Sequence, residues 1–177
     1  MALFTGKGDG GTTKLFGVSE QRITKSSEVP EALGALDELN AFIGLVKMHP
    51  KAPARITQGL RGVQEMLFIV QAEVAGADKR VPEGVAQALS EVVNQIEKEI
   101  PPITGFSIAG GTELSAALDV ARTVARKAER RVTAANLAGR AVSDPTKAYL
   151  NRLSSLLFAY ARLANHLAGV KEENPKY

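Results

Sequence analysis

The chain has 177 residues and a mass of 18.8 kDa, with 45% hydrophobic and 23% charged residues, which suits one domain; aromatic residues are 5% and tryptophan is absent, so the core must be aliphatic. Cysteine is absent, which excludes disulfides, zinc–thiolate sites, iron–sulfur clusters and thiol nucleophiles. A net charge of +3, from 22 basic against 19 interleaved acidic side chains, is too mild to point to nucleic acid but leaves room for a small anionic ligand.

Only His49 and His166 could act as imidazole bases, and both fall at helix ends, where a surface or capping role is expected. No basic-then-apolar leader opens the chain, and no apolar run nears the roughly 18 residues of a membrane span. A cytoplasmic protein is the expectation, with neither membrane nor nucleic acid as partner.

Residues 5–13, TGKGDGGTT, carry four glycines and three threonines, a composition that resists helix and strand and exposes backbone N–H groups able to cradle phosphate. Gly6, Gly8 and Gly11 match G-x-G-x-x-G literally, yet neither a preceding strand nor a following helix is in evidence, and no Lys-Ser/Thr pair makes it a Walker loop. The alternative is a free tail. Phe4, Leu15 and Phe16 flank the loop as apolar pins, and Lys25 follows in a short extended RITKSS segment.

A first helix is predicted over Glu28–Met48, with Pro30 in its first turn and Leu33, Leu36, Leu39 or Asn40, Ile43 and Val46 on one face. Asp37, Glu38 and Asn40 interrupt that face. The second helix runs from about Ala54 to Ala75 on Ile56, Leu60, Val63, Leu67, Val70 and Val74, ended by Gly76. A third follows Pro82 and Glu83 and runs to Ile100 on Val85, Leu89, Val92, Ile96 and Ile100, before Pro101 and Pro102 stop it.

Thr112 is placed to cap the fourth helix just after Gly110 and Gly111. Leu114, Leu118, Ala121, Ala125, Ala128 and Val132 make an apolar seam on that helix, and Arg122, Arg126 and Arg130 make a basic row on its flank. Like charges at i,i+4 cost a helix about 0.2–0.5 kcal/mol per pair, so such a row asks for anionic partners. The fifth helix is read with Asp144 as its cap and Pro145 in its first position. Leu150, Leu153, Leu157, Tyr160, Ala164 and Leu167 form its seam, with Asn151 and Ser154 beside it. The expected fold is all-α: a single-domain antiparallel five-helix bundle. A glycine-rich loop and extended segment at 1–27 precede the bundle at 28–168, and a frayed polar tail follows at 169–177.

Four motifs stand in sequence order: T-x-x-G-D-x-G-x-T at Thr5–Thr13, DELN at Asp37–Asn40, a glycine pair followed by ART-x-x-R-x-AER through Arg130, and Y-x-NRLS at Tyr149–Ser154. Together they resemble the PduO-type ATP:cob(I)alamin adenosyltransferases over nearly the whole chain. That resemblance implies a homotrimer with ATP bound between subunits and transfer of the 5′-deoxyadenosyl group to cobalt of cobalamin, with Mg²⁺ as cofactor. Thr5, Gly6, Lys7, Gly8, Asp9, Gly11 and Thr13 would form the nucleotide loop, with Lys25 near the phosphates. Arg126, Glu129, Arg130 and Asn151 would complete the ATP site.

Asp37 would pair with Arg122 of the adjoining subunit, and Phe106 would lie beneath the corrin and keep a lower axial ligand away. A cob(II)alamin reductase and an adenosylcobalamin-dependent enzyme are implied as partners. The chain departs from the common pattern at Ala109, Asp119, Lys127 and Ser155, where proline, histidine, arginine and aspartate are usual. The competing expectation is a helical trimer that senses ATP without chemistry.

Overall fold

The computed structural model describes residues 4–15 and 22–177, so Phe16 lies outside the described residues. Two short strands, β1 at Thr12–Thr13 and β2 at Ile23–Thr24, pair antiparallel with Thr12 opposite Thr24. Five helices follow: α1 at Glu28–Lys47, α2 at Ala54–Ala75, α3 at Val85–Glu99, α4 at Glu113–Leu137 and α5 at Asp144–Leu167. They form an antiparallel bundle in which α4 packs against both α1 and α5, while α2 lies on α1 and α3 on α5.

Local chemistry sets most of the boundaries. Thr112 Oγ1 accepts from Ser115 N at 3.0 Å and caps α4, and Gly76 ends α2 with φ 100°, the left-handed conformation that costs glycine nothing. Helix α3 begins at Val85, after Pro82 and Glu83 as expected, and Gly84 closes the preceding turn with φ 82°. One expected cap is corrected. The cap of α5 is Ser143, not Asp144, which puts Pro145 one place further into the first turn.

The α4 seam is buried from Leu114 to Val132, and its alanines bring the neighbouring helices close. Of the α5 seam, Leu150, Leu153, Leu157, Tyr160 and Ala164 are buried, but Leu167 is exposed past the end of the contact. On α3 only Ile96 is buried within the helix, and Val85, Leu89 and Val92 are half-covered. Helix α2 reaches α5 through tyrosines: the Tyr149 hydroxyl donates to Val63 O at 3.5 Å, and Tyr160 fills the space beside Gly59, where a Cβ would stand 2.0 Å from its hydroxyl. Burial raises the titration of both hydroxyls, so both stay neutral at physiological pH.

A buried acid joins α2 to the start of α5. One carboxylate oxygen of Glu73 accepts from Ser143 N at 2.6 Å, its other oxygen accepts from the Thr146 hydroxyl, and Arg80 lies 3.6 Å away. These bonds satisfy groups at the helix N-terminus that Ser143 leaves without a side-chain cap. The C-terminal tail is not frayed: it folds back from Gly169 and bonds to α5 and to the segment before α4.

Candidate functional site

The glycine-rich loop is built from two successive turns. Asp9 N donates to Gly6 O at 3.2 Å and Gly11 N to Gly8 O at 3.1 Å, with Gly6 and Gly11 at φ 68° and 76°. Lys25 N donates to Gly11 O at 2.9 Å, and the Lys25 ammonium lies 3.2 Å from the point where a Cβ on Gly8 would stand. Arg22 ties the two strands by donating to Thr12 Oγ1 and to Thr12 O at 2.9 and 2.7 Å. The result is an exposed loop with a lysine over it. Thr5, Lys7, Asp9 and Lys25 are exposed, and Thr13 is half-buried in the strand.

Helix α4 sorts its cations by partner. Lys127 pairs with Glu38 of α1, and Arg131 pairs with Glu31 of α1 at 3.5 Å. Arg122 Nε donates to Asp119 at 3.0 Å, and its guanidinium lies 5.6 Å from the Phe158 ring centre, within cation–π range. Arg126 and Arg130 have no carboxylate partner among the described residues; Arg130 only donates to Arg126 O at 3.1 Å. Between them on the helix, Glu129 accepts from Asn151 of α5 at 3.0 Å. Arg126, Glu129, Arg130 and Asn151 thus make one polar patch across α4 and α5.

Next to this patch is a cleft of about 630 Å³ lined by Ile103, Gly105, Phe106, Ser107, Arg122, Arg126, Ser154, Ser155 and Phe158. Its size falls within the usual range for a small-molecule site, roughly 300–1,000 Å³. Phe106 is 79% exposed, so its ring is open to solvent at this cleft. Arg126 lines the cleft as well as belonging to the patch, so it connects a cationic half to an apolar half.

The glycine pair that leads into α4 is held from α5. Asn165 accepts from Thr112 N at 3.1 Å and donates to Gly110 O at 2.8 Å, and a Cβ on Gly111 would stand 2.7 Å from Asn165. Both glycines have φ near 110°, so a side chain would fail there on two counts. Asp119, itself buried, accepts from Gly110 N at 3.3 Å and so links this turn to Arg122. Asn165 was not singled out from the sequence; an asparagine on a packed helix carries no local signal of its partner 53 positions away.

Other expected site residues are not joined in one chain. Asp37 is exposed and has no ion pair among the described residues, while Arg122 is engaged by Asp119. No hydrogen bond or ion pair among the described residues connects the glycine-rich loop or Lys25 to Arg126, Glu129, Arg130 or Asn151. Of the four departures, Lys127 is paired to α1, Asp119 holds the glycine turn, Ser155 lines the cleft and Ala109 is exposed.

The family model for cobalamin adenosyltransferase matches residues 3–164. The chain belongs to the cobalamin adenosyltransferases. A corrinoid adenosyltransferase of Citrobacter freundii is 37% identical over 170 residues, covering 91% of this chain and 93% of that protein. A second protein of that organism, the corrinoid adenosyltransferase PduO, is 36% identical over 173 residues, 94% of this chain, and the chain spans 50% of its length. Among solved structures, a histidine-for-phenylalanine variant of the PduO-type ATP:corrinoid adenosyltransferase of Lactobacillus reuteri, complexed with cobalamin and ATP, matches with TM-score 0.89 and 28% identity over 97% of this chain and 95% of that one. The family membership and the five-helix architecture agree with each other and with the four sequence motifs.

Proposed function

We propose that this chain transfers the 5′-deoxyadenosyl group of ATP to Co(I) of a corrinoid. Co(I) supplies the electron pair of the new cobalt–carbon bond to C5′, the C5′–O bond breaks, and triphosphate leaves with that bond's electrons. The observation that carries this reading is the division among the α4 cations. Arg126 and Arg130 alone lack a carboxylate among the described residues, and Arg126 also borders the cleft that exposes Phe106. Two unneutralised guanidiniums beside an apolar pocket suit a ligand that is polyanionic at one end and flat and apolar at the other.

No side chain has to attack or to take a proton. Positioning and charge suffice, and the absence of cysteine costs the reaction nothing. Arg126, Arg130, Lys25 and the N–H groups of Thr5–Thr13 stabilise negative charge growing on the leaving triphosphate. The Glu129–Asn151 bond fixes the patch between α4 and α5. Phe106 shields the lower face of the corrin from water and from an axial nitrogen, which favours four-coordinate Co(II) and eases its reduction to Co(I). The described residues hold no cluster of three acidic or histidine ligands, while Asp9 offers one unpaired carboxylate in the loop. That donor set fits Mg²⁺ carried mainly by phosphate oxygens and water.

Among the described residues no bond connects the loop to the arginine patch, and this supports a homotrimer in which one subunit's loop closes on its neighbour's patch. Arg122 fits the same scheme. Asp119 occupies its Nε, leaving other guanidinium donors for Asp37 of an adjoining subunit. No helix among the described residues is long and apolar enough to cross a membrane, and we place the enzyme in the cytoplasm. There a cob(II)alamin reductase supplies the electron and an adenosylcobalamin-dependent enzyme takes the product.

The test is direct. Incubation with ATP, Mg²⁺ and chemically reduced cobalamin should convert the corrinoid to its light-sensitive adenosylated form with release of triphosphate. ATP binding with no such conversion would leave an ATP-sensing trimer and reject the enzyme.

A further inference from the structure

The segment between α3 and α4 carries Phe106, and its main chain makes few bonds. Among the described residues, the backbone from Pro102 to Ala109 forms two hydrogen bonds, and both come from the C-terminal tail: Asn174 Nδ2 donates to Phe106 O at 3.0 Å, and Ile108 N donates to Glu173 O at 2.8 Å. These grips fall on either side of Ser107, so they fix the backbone that aims the Phe106 ring. Gly105 admits the tail, since a Cβ there would stand 3.0 Å from Asn174 Nδ2.

The tail itself is anchored. Gly169, at φ 70°, turns the chain after α5, and Val170 N donates to Asn165 O at 2.9 Å. Both carboxylate oxygens of Glu172 accept from Arg162 Nε, at 2.9 and 3.1 Å. Arg162 is 6% exposed and also donates to Pro101 O at 2.7 Å. One nearly buried arginine therefore ties α5, the end of the α3 connection and the tail into one unit, and a charge-assisted bond in such a place is among the stronger kinds.

We propose that Glu172–Asn174 acts as a strap that sets where Phe106 stands, which makes Asn174 and Glu172 positioning residues for the lower face of the corrin site. The inference rests on the adenosyl-transfer reading for its effect on turnover, but its structural core does not. Removing the Asn174 amide frees one side of the segment, and the ring spends less time in the place from which it excludes an axial ligand. Arg126 and Arg130 stand on α4, outside the strapped segment, so ATP binding is expected to be spared.

The experiment compares full-length wild type with Asn174→Ala and with Asn174→Gln, which keeps an amide donor. With ATP and Co(II) cobalamin present, electron paramagnetic resonance should show the four-coordinate fraction of Asn174→Ala lowered roughly two- to tenfold, the range set by losing one hydrogen bond, with kcat lowered in step. KM for ATP and the melting temperature should match wild type, and Asn174→Gln should recover part of the signal. Amide exchange at Ile108 should also speed up in Asn174→Ala. A wild-type four-coordinate fraction and wild-type exchange at Ile108 in that variant would overturn the strap. If wild type itself fails to adenosylate cobalamin, the proposed function falls instead, and exchange at Ile108 still decides the strap.

Discussion

Glu73 on α2 and Arg126 on α4 are both charged side chains on long helices, and they are treated in opposite ways. Glu73 is buried and has hydrogen-bond partners on both oxygens, all supplied by its own chain. Arg126 is exposed at the rim of a cleft and its guanidinium has no partner among the described residues. A charge whose bonds are complete inside the chain stabilises the fold, whereas one left open beside a pocket is available to a ligand. The α2–α5 junction is therefore architecture, and the outer flank of α4 is the candidate site. Substitutions on the two sides should be read out by different measurements.

The largest effect is expected at the junction. Glu73→Ala leaves Ser143 N–H and the Thr146 hydroxyl without their acceptors at a buried helix start, which should cost about 2–4 kcal/mol of stability. For a chain of this size that lowers the melting temperature by roughly 5–15 °C, measured by calorimetry or circular dichroism. ATP affinity of the fraction that remains folded should be unchanged. A wild-type melting temperature would show that Glu73 is not the cap the geometry makes it.

Arg126→Ala should do the reverse. Loss of a charge-assisted contact to phosphate weakens ATP binding or turnover roughly tenfold to a hundredfold, with the melting temperature within a degree or two of wild type. Wild-type kinetics would remove the arginine from the clamp. Phe106→Ala separates the two halves of the cleft: ATP binding should persist, while the four-coordinate Co(II) signal is lost and turnover falls with it. An unchanged signal would take Phe106 out of the reaction.

How much of this could be read in the sequence follows the reach of each interaction. The α4 seam, Thr112 as a cap and Gly76 as a stop were legible because helix periodicity and capping are local. The cap of α5 was read one residue late, because Ser143 and Asp144 are both good cap residues and stand side by side in the sequence. Glu73, Asn165 and the tail's grip on Phe106 were not legible. Each joins residues 53 or more positions apart, and nothing in a lone Glu or Asn names its partner. The candidate site residues came from motifs, yet among the described residues no bond joins the glycine-rich loop or Asp37 to the arginine patch, and no local pattern in the sequence says what would.

The smallest predicted effect tests the sorting of the α4 cations most sharply, because Arg131 is one residue from Arg130 and has the same chemistry. Arg131 is half-exposed and pairs with Glu31 of α1 at 3.5 Å, an arrangement that exposed ion pairs seldom make worth more than about 1 kcal/mol. Arg131→Ala should thus shift the melting temperature by roughly 0–3 °C, fading further in high salt, and should leave KM for ATP and kcat at wild-type values. If it instead weakened ATP binding as strongly as Arg126→Ala, then basic charge anywhere along the helix would suffice, and the presence or absence of an acid from α1 would no longer distinguish a structural cation from a ligand-binding one. A silent Arg131→Ala beside an impaired Arg126→Ala would leave partner bookkeeping along α4 as the feature that divides the helix into its two functions.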